Sequence, residues 1–284
     1  MNTRRTIMDL LKAKQEGQKI VAVSCYDFTT AQLVTQADVD VILVGDSAAQ
    51  IVLGHDTTLP ATMDFMVLMT QAVRKGAPEV CLVADMPFLS YQLGEAEAIR
   101  NAGRFVVEAG AQVVKIEVTS AYESVVRAVS DAGISVMAHI GIRPQSILKA
   151  GRLKAEGTTA EMGNELIELA DRMVEAGAGS LLIEGTASEV STIITQRVDV
   201  PVISCGSGVG CDGQVLISPD ILGLTQGAKP KFSRSFASLA EASVQAFDAY
   251  SQSVRQCTYP DAAHSYCMKA GEIERLREFL KTRS

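Results

Sequence analysis

Ala109-Gly110-Ala111-Gln112-Val113-Val114-Lys115-Ile116-Glu117 reads as the end of a helix, a small-residue turn and a short strand that stops on an acid. Glycine suits the left-handed position just past a helix, and branched apolar residues suit a strand. Upstream, the unit recurs as Ala37-Asp38-Val39-Asp40-Val41-Ile42-Leu43-Val44-Gly45-Asp46 and as Gly76-Ala77-Pro78-Glu79-Val80-Cys81-Leu82-Val83-Ala84-Asp85. Downstream it returns as Ala132-Gly133-Ile134-Ser135-Val136-Met137-Ala138-His139 and as Ala176-Gly177-Ala178-Gly179-Ser180-Leu181-Leu182-Ile183-Glu184. Continuous apolar strands that alternate with helices predict a parallel sheet covered on both faces. Such sheets carry their chemistry at the C-terminal ends of their strands. Asp46, Asp85, Glu117, His139 and Glu184 are therefore expected to converge on one mouth.

Along the whole chain the pattern predicts strands at Ile20–Ser24, Val41–Val44, 80–84, 113–116, 136–138, 181–183, 200–204 and 221–224, with helices between them. Eight such units favour an α/β fold of the closed (β/α)8 barrel type, a single domain of about 250 residues, over an open doubly wound sheet. An N-terminal helix is expected first, capped by Thr6 or Thr3, with Ile7, Leu10, Leu11 and Lys14 on one stripe and Gly17 as its stop. No linker, charge block or low-complexity stretch divides the 284 residues, so 1–284 reads as one barrel domain with a helical tail from about residue 239.

The net charge of -7 argues against a nucleic-acid surface. No stretch approaches the ~20 uninterrupted apolar residues of a membrane span. The first residues, Met1-Asn2-Thr3-Arg4-Arg5, lead into an amphipathic segment without the apolar core of a secretory signal, so a cytoplasmic protein is expected. The six cysteines form no Cys-x-x-Cys pair and read as small, reduced hydrophobes.

Three carboxylates at one mouth repel one another unless a cation sits among them. Hard divalent cations such as Mg²⁺ take oxygen ligands, few from protein, with water and substrate completing the shell. Asp46, Asp85 and Glu117 suit such a site, although a strand-end acid can also simply cap the next helix. Lys115 lies two residues before Glu117, so both side chains share one face of their strand. Pointing inward, its ammonium could hold a substrate carboxylate or an enolate oxygen. His139 is a candidate for substrate or acid–base contact, or for a structural hydrogen bond. Glu184, in an apolar mouth, is suited to act as a general base. Cys205-Gly206-Ser207-Gly208-Val209-Gly210 reads as a tight turn, or as a backbone cradle for phosphate.

Several blocks resemble the ketopantoate hydroxymethyltransferase family. They are Val44-Gly45-Asp46-Ser47, Gly54-His55-Asp56-Thr57-Thr58-Leu59-Pro60, Ala84-Asp85-Met86-Pro87-Phe88, Val114-Lys115-Ile116-Glu117, His139-Ile140-Gly141 and Pro144-Gln145-Ser146. Cys211-Asp212-Gly213-Gln214-Val215-Leu216, Pro230-Lys231-Phe232, Tyr259-Pro260 and His264-Ser265 continue the family order. The resemblance implies a barrel of the phosphoenolpyruvate/isocitrate-lyase type. It implies Mg²⁺-dependent transfer of a one-carbon unit from 5,10-methylenetetrahydrofolate to 3-methyl-2-oxobutanoate, giving 2-dehydropantoate for pantothenate biosynthesis. It places Asp46, Asp85 and Glu117 at the metal, Asp46, Ser47, Asp85 and Lys115 on the keto acid, and Glu184 as the base. It also implies a homodecamer or another homo-oligomer.

The chain departs from the family pattern at Ala48-Ala49-Gln50, Val118-Thr119, Arg143, Gly185-Thr186-Ala187, Ser204–Gly208 and Pro219. The metal and base positions survive while the pocket around them changes. That keeps a second reading open: aldol-type carbon–carbon bond chemistry on another 2-oxo acid, or with another aldehyde donor. Arg143 and the Gly206–Gly210 loop would suit an additional anionic group on such a substrate.

Overall fold

The computed structural model describes residues 4–227 and 229–283. Eight parallel strands close into a barrel in chain order: β1 Ile20–Ser24, β2 Val41–Val44, β3 Cys81–Asp85, β4 Val113–Glu117, β5 Ser135–Gly141, β6 Ser180–Glu184, β7 Val202–Cys205 and β8 Gly213–Ile217. The closing pair is β1 with β8, in register from Ile20 opposite Gly213 to Ser24 opposite Ile217. Helices such as Met63–Gly76, Glu95–Val107 and Ala160–Glu175 connect successive strands.

Strand pleating sorts the apolar side chains into two clusters. Ile20, Ala22, Val41, Leu43, Cys81, Val83, Val113, Met137, Leu182, Ile203 and Val215 pack together as the barrel filling. Their strand neighbours Ile42, Val44, Leu82, Ala84, Val114, Ile116, Ala138, Ile140, Leu181 and Ile183 pack outward under the helices. Both faces of β2, β3 and β4 are thus dry, which is why these strands read as unbroken apolar runs, while β1 and β8 each expose one residue, Val21 and Gln214.

The N-terminal helix Ile7–Gln15 starts at Thr6, whose backbone N–H donates to the Asp9 carboxylate at 2.7 Å. Gly17 follows its end at φ +69°, the left-handed position that glycine tolerates. Thr3, the other expected cap, lies outside the described residues. Leu10 is carried into the inner cluster beside Ile20 and Val41.

The last strand differs from the expectation. It is Gly213–Ile217, whereas Ile221 and Leu222 belong to a short helix, Ser218–Leu222. Val215-Leu216-Ile217 is the better β-forming run, and Pro219 suits the first turn of a helix because it has no N–H to leave unpaired. Gly213 begins the strand where a Cβ would sit 2.5 Å from the Ile20 carbonyl oxygen and 2.7 Å from Ile203 Cδ1. Only glycine lets β1 and β7 close around that position.

The chain divides into two compact units. One runs to Ile221 and includes the 227–234 segment; the other comprises Leu222–Gln226 and the chain from Ser235 onward. The second unit holds the helices Leu239–Arg255 and Glu272–Lys281, neither with a buried residue. Among the described residues, no helix is long and apolar enough to cross a membrane.

Candidate active site

Asp85, Lys115, His139 and Glu184 occupy the same strand faces as the barrel-filling residues two positions before them, and Glu117 shares the face of Lys115. Each therefore turns into the barrel at its C-terminal end. Asp85, Lys115, Glu117 and His139 are all buried, while Glu184 is partly open to solvent. Asp46 lies just past β2 and is buried as well. The structure thus brings together every acid and the His expected at the mouth.

Lys115 Nζ lies 2.8 Å from Asp85 Oδ1. The other Asp85 oxygen accepts from the Asp46 backbone N–H at 2.9 Å. Gln145 Nε2 donates to Asp46 Oδ2 at 2.9 Å, and the Gln145 backbone N–H donates to Glu117 Oε2 at 3.1 Å. Burial dominates the electrostatics of this cluster. It raises Asp85 to about 8, with Lys115 pulling the value back and Asp46 pushing it further up. It likewise holds Glu117 well above the usual carboxylate range, against the pull of Lys115. Burial opposes the charge on Lys115, yet Asp85, Asp46 and Glu117 outweigh it and keep the ammonium protonated beyond its ordinary value.

His139 connects this cluster to Glu184. Its Nδ1 is 3.3 Å from Lys115 Nζ, and its Nε2 is 3.4 Å from Glu184 Oε2. Burial, and then the Lys115 charge, lower the imidazole pKa, so the ring is neutral near pH 7. An ammonium only donates, so Nδ1 is the acceptor and the proton belongs on Nε2, facing Glu184.

The ends of β5 and β6 approach closely. Gly141 has φ +87°, and a Cβ there would collide with the Glu184 carbonyl and come within 2.5 Å of Thr186 Oγ1. Ile142 N–H donates to that same Glu184 carbonyl at 2.9 Å. Gly141→Ala is expected to cost about 2–4 kcal/mol, from left-handed strain plus overlap. It should also lower kcat by moving Glu184. Urea unfolding and steady-state kinetics on one preparation would check both.

Ser47 Oγ is 2.8 Å from the hydroxyl of Tyr26, a buried side chain. The sequence reading missed Tyr26 and Gln145. Gln145 stood in a quoted block, Pro144-Gln145-Ser146, but nothing in its spacing tied it to acids a hundred residues away. Arg143 lies 3.6 Å from Glu156, on a loop whose Glu156 N–H donates to the Gly185 carbonyl at 3.0 Å. The Gly206–Gly210 turn is tied down by its own bonds. Ser207 Oγ donates to the Ile183 carbonyl at 2.9 Å and accepts from Thr186 N–H at 3.0 Å.

Among the described residues, no group of three or more His, Cys, Asp or Glu forms a ready-made metal-ligand set. The donor chemistry nevertheless fits a hard cation. Three buried carboxylates face a single ammonium, and Asp85 Oδ1 is buried without a well-directed hydrogen bond. Mg²⁺ needs only one or two protein carboxylates, with water and substrate oxygens supplying the rest.

These shifts set a pH dependence for the metal-free protein. Asp85 binds its proton more tightly folded than unfolded, so the stability it contributes below its ordinary 3.8 is lost as pH rises towards about 8. Glu117 acts in the same direction. His139 acts oppositely, adding stability as pH rises to its ordinary 6.5 and nothing above it. Lys115 is charged in both states throughout this range. Urea midpoints measured in chelator should therefore fall between about pH 6.5 and about pH 8. A midpoint that rises over that interval would contradict the assignment.

A closed parallel barrel with inward acids at its C-terminal strand ends defines a (β/α)8 barrel with its site at the mouth. Solved members of the phosphoenolpyruvate mutase/isocitrate lyase superfamily share the fold. A 2,3-dimethylmalate lyase aligns with TM-score 0.59 at 17% identity, covering 98% of this chain and 99% of its own. Phosphonopyruvate hydrolase, solved with oxalate and Mg²⁺, aligns with TM-score 0.59 at 16% identity, covering 98% and 97%. The family model for ketopantoate hydroxymethyltransferase matches residues 4–262. The 3-methyl-2-oxobutanoate hydroxymethyltransferase of Pelobacter propionicus is 43% identical over 266 residues, covering 94% of this chain and 98% of that protein. The enzyme of the same name from Nitrosopumilus maritimus is 39% identical over 274 residues, covering 96% and 98%. The chain belongs to the ketopantoate hydroxymethyltransferase family and is an enzyme of that kind.

Proposed function

We propose that this enzyme transfers a hydroxymethyl group from 5,10-methylenetetrahydrofolate to 3-methyl-2-oxobutanoate in a Mg²⁺-dependent reaction, giving 2-dehydropantoate and tetrahydrofolate with consumption of one water. The observation that carries this reading is a division of labour at the mouth. Three carboxylates and one ammonium form a single network, while Glu184 stands apart from it, joined only through His139 among the described residues.

Asp46 and Asp85 would hold the cation, with Glu117 either direct or through water. When bound, Mg²⁺ would supply positive charge to the keto and carboxylate oxygens of the acceptor. Lys115 adds a fixed ammonium on the same side and stabilises the negative charge that develops on the keto oxygen. Ser47, held by Tyr26, offers a hydroxyl to the acid. The water consumed hydrolyses the donor's methylene bridge to tetrahydrofolate and a bound formaldehyde unit. Glu184 removes the C3 proton, the resulting carbanion carbon attacks the carbonyl carbon of that unit, and the new alkoxide takes up the proton held by Glu184. His139 Nε2–H, facing Glu184, orients the carboxylate for that transfer. Family resemblance extends the proposal to a cytoplasmic homodecamer or other homo-oligomer. The exposed Val244, Phe247, Tyr250 and Val254 on helix Leu239–Arg255 are in keeping with subunit association.

The test is an assay with 3-methyl-2-oxobutanoate, methylenetetrahydrofolate and Mg²⁺, with the product read by mass spectrometry. Turnover that stops in excess chelator and returns with Mg²⁺ is expected. Undiminished turnover in chelator would remove the metal from the reading. Turnover only with a different 2-oxo acid or aldehyde donor would replace the proposed substrates.

A further inference from the structure

Gln145 ties together the ends of three adjacent strands, two through its side chain and one through its backbone. It is buried in the short turn Pro144–Ser146 that follows β5. Its Nε2 donates to Asp46 Oδ2 at 2.9 Å, beyond β2, and to the Met86 carbonyl at 3.0 Å, beyond β3. Its backbone N–H donates to the Glu117 carboxylate, at 3.3 Å to Oε1 and 3.1 Å to Oε2, at the end of β4. Its Oε1 lies 2.8 Å from the hydroxyl of the buried Tyr91.

This pattern fixes which way the amide faces. Asp46 Oδ2 and the Met86 carbonyl only accept, so the NH₂ must face them. The oxygen is left for the Tyr91 hydroxyl, and Gln92 Nε2 approaches that oxygen at 3.4 Å. The backbone reinforces the placement. Arg143 precedes a proline and is extended, at φ -124° and ψ 96°, as that position demands. The turn that follows aims the Gln145 N–H at Glu117.

We infer that Gln145 is a positioning residue for the cation site, holding Asp46 and Glu117 in fixed orientations by its side chain and its backbone respectively. The inference rests on the Mg²⁺ reading of the site given above. A neutral carboxamide is suited to this task. It orients a carboxylate without neutralising it, so the negative charge stays available to a divalent ion. A lysine or arginine at the same place would compete with that ion. Partners of metal-binding carboxylates act on affinity through orientation, and their loss weakens binding by about 10–100-fold.

The test is calorimetric titration of Mg²⁺ alone into the full-length enzyme, without keto acid or folate, for wild type and Gln145→Met. Methionine keeps the volume and leaves the backbone N–H to Glu117 intact while removing the donor to Asp46. The expected result is a Kd for Mg²⁺ raised about 10–100-fold, with a chelator-treated melting temperature close to wild type. In turnover, the Mg²⁺ concentration at half-maximal rate should rise by a similar factor, while kcat at saturating Mg²⁺ changes much less. A residue that only supports the fold would lower the melting temperature and leave the Kd alone; that outcome overturns the inference. Gln145→Asn keeps a carboxamide but is one methylene too short to span Asp46 and Met86. It carries the same expectation and decides the matter should Gln145→Met fail to fold. Wild-type protein that turns over without binding Mg²⁺ would overturn the metal reading itself, and Gln145's role with it. That result comes from the wild-type arm alone, so the two failures are distinguishable.

Discussion

Glu184→Gln is expected to abolish exchange of the C3 hydrogen of 3-methyl-2-oxobutanoate with deuterated solvent. The loss should be about 10²–10⁴-fold, the usual contribution of a positioned general base. Glutamine keeps the shape of the side chain, and its carbonyl oxygen can still face His139 Nε2–H, 3.4 Å away in the native pair. The geometry around the keto acid is therefore retained, and its binding should change by no more than a few fold. Exchange needs no folate, so the measurement isolates proton removal from the transfer that follows. Wild-type exchange in the variant would mean that another group takes the proton. His139 is the nearest candidate, since it is neutral near pH 7 and adjoins both Lys115 and Glu184.

Lys115→Met is expected to damage the enzyme twice. Among the described residues its ammonium is the single cation within the group of three buried carboxylates, 2.8 Å from Asp85. Removing one partner of a buried pair leaves the other uncompensated, which costs about 3–5 kcal/mol of stability. Asp85 can escape part of that cost by taking up a proton, already favoured in wild type, where its pKa is about 8. The loss in unfolding free energy should therefore be smaller near pH 6 than above pH ~8.5. Turnover should fall by about 10²–10³-fold, as when one preorganised donor to a developing oxyanion is removed. The fall should divide between a higher KM for the keto acid and a lower kcat, because ground state and transition state both use the charge. Urea unfolding at the two pH values and steady-state kinetics near neutrality check the two parts separately. Equal stability loss at both pH values would show that Asp85 is not the group left exposed.

Much of this site was legible because a strand has only two faces. The spacing of Lys115 and Glu117 requires them to share one, and the apolar run around them requires both faces to be buried. Asp85, His139 and Glu184 follow from the same parity on their own strands. The eighth strand was harder to read, because Val215-Leu216-Ile217 and Ile221-Leu222 compete as apolar runs and only Gly213 fitting between β1 and β7 settles the choice. Gln145 and Tyr26 were illegible for a different reason. Their importance lies in hydrogen bonds to residues distant in sequence, Asp46 and Glu117 for one, Ser47 for the other. No local periodicity encodes such contacts. The protonation pattern was out of reach as well, since it depends on how deeply each group is buried and on its distance to Lys115.

Strand β4 behaves as a reading frame. Gln112 locks its phase: its Oε1 accepts from the Leu82 backbone N–H at 2.9 Å and from Arg74 Nη2 at 2.7 Å, just before Val113 begins the strand. Deleting one residue between Gly110 and Val113 would shift that phase by a single step. Lys115 and Glu117 would then turn into the helix layer, while Val114 and Ile116 would line the mouth. Lys115 and Glu117 would both survive, and the chemistry would not. The short turns that lead into the strands are therefore constrained in length more than in identity. Insertions and deletions have more freedom at the opposite rim, in the outer parts of the long connections, about 52–62 and 148–155, past Asp46, Ser47 and Gln145, where extra residues can reshape the entrance without changing the frame.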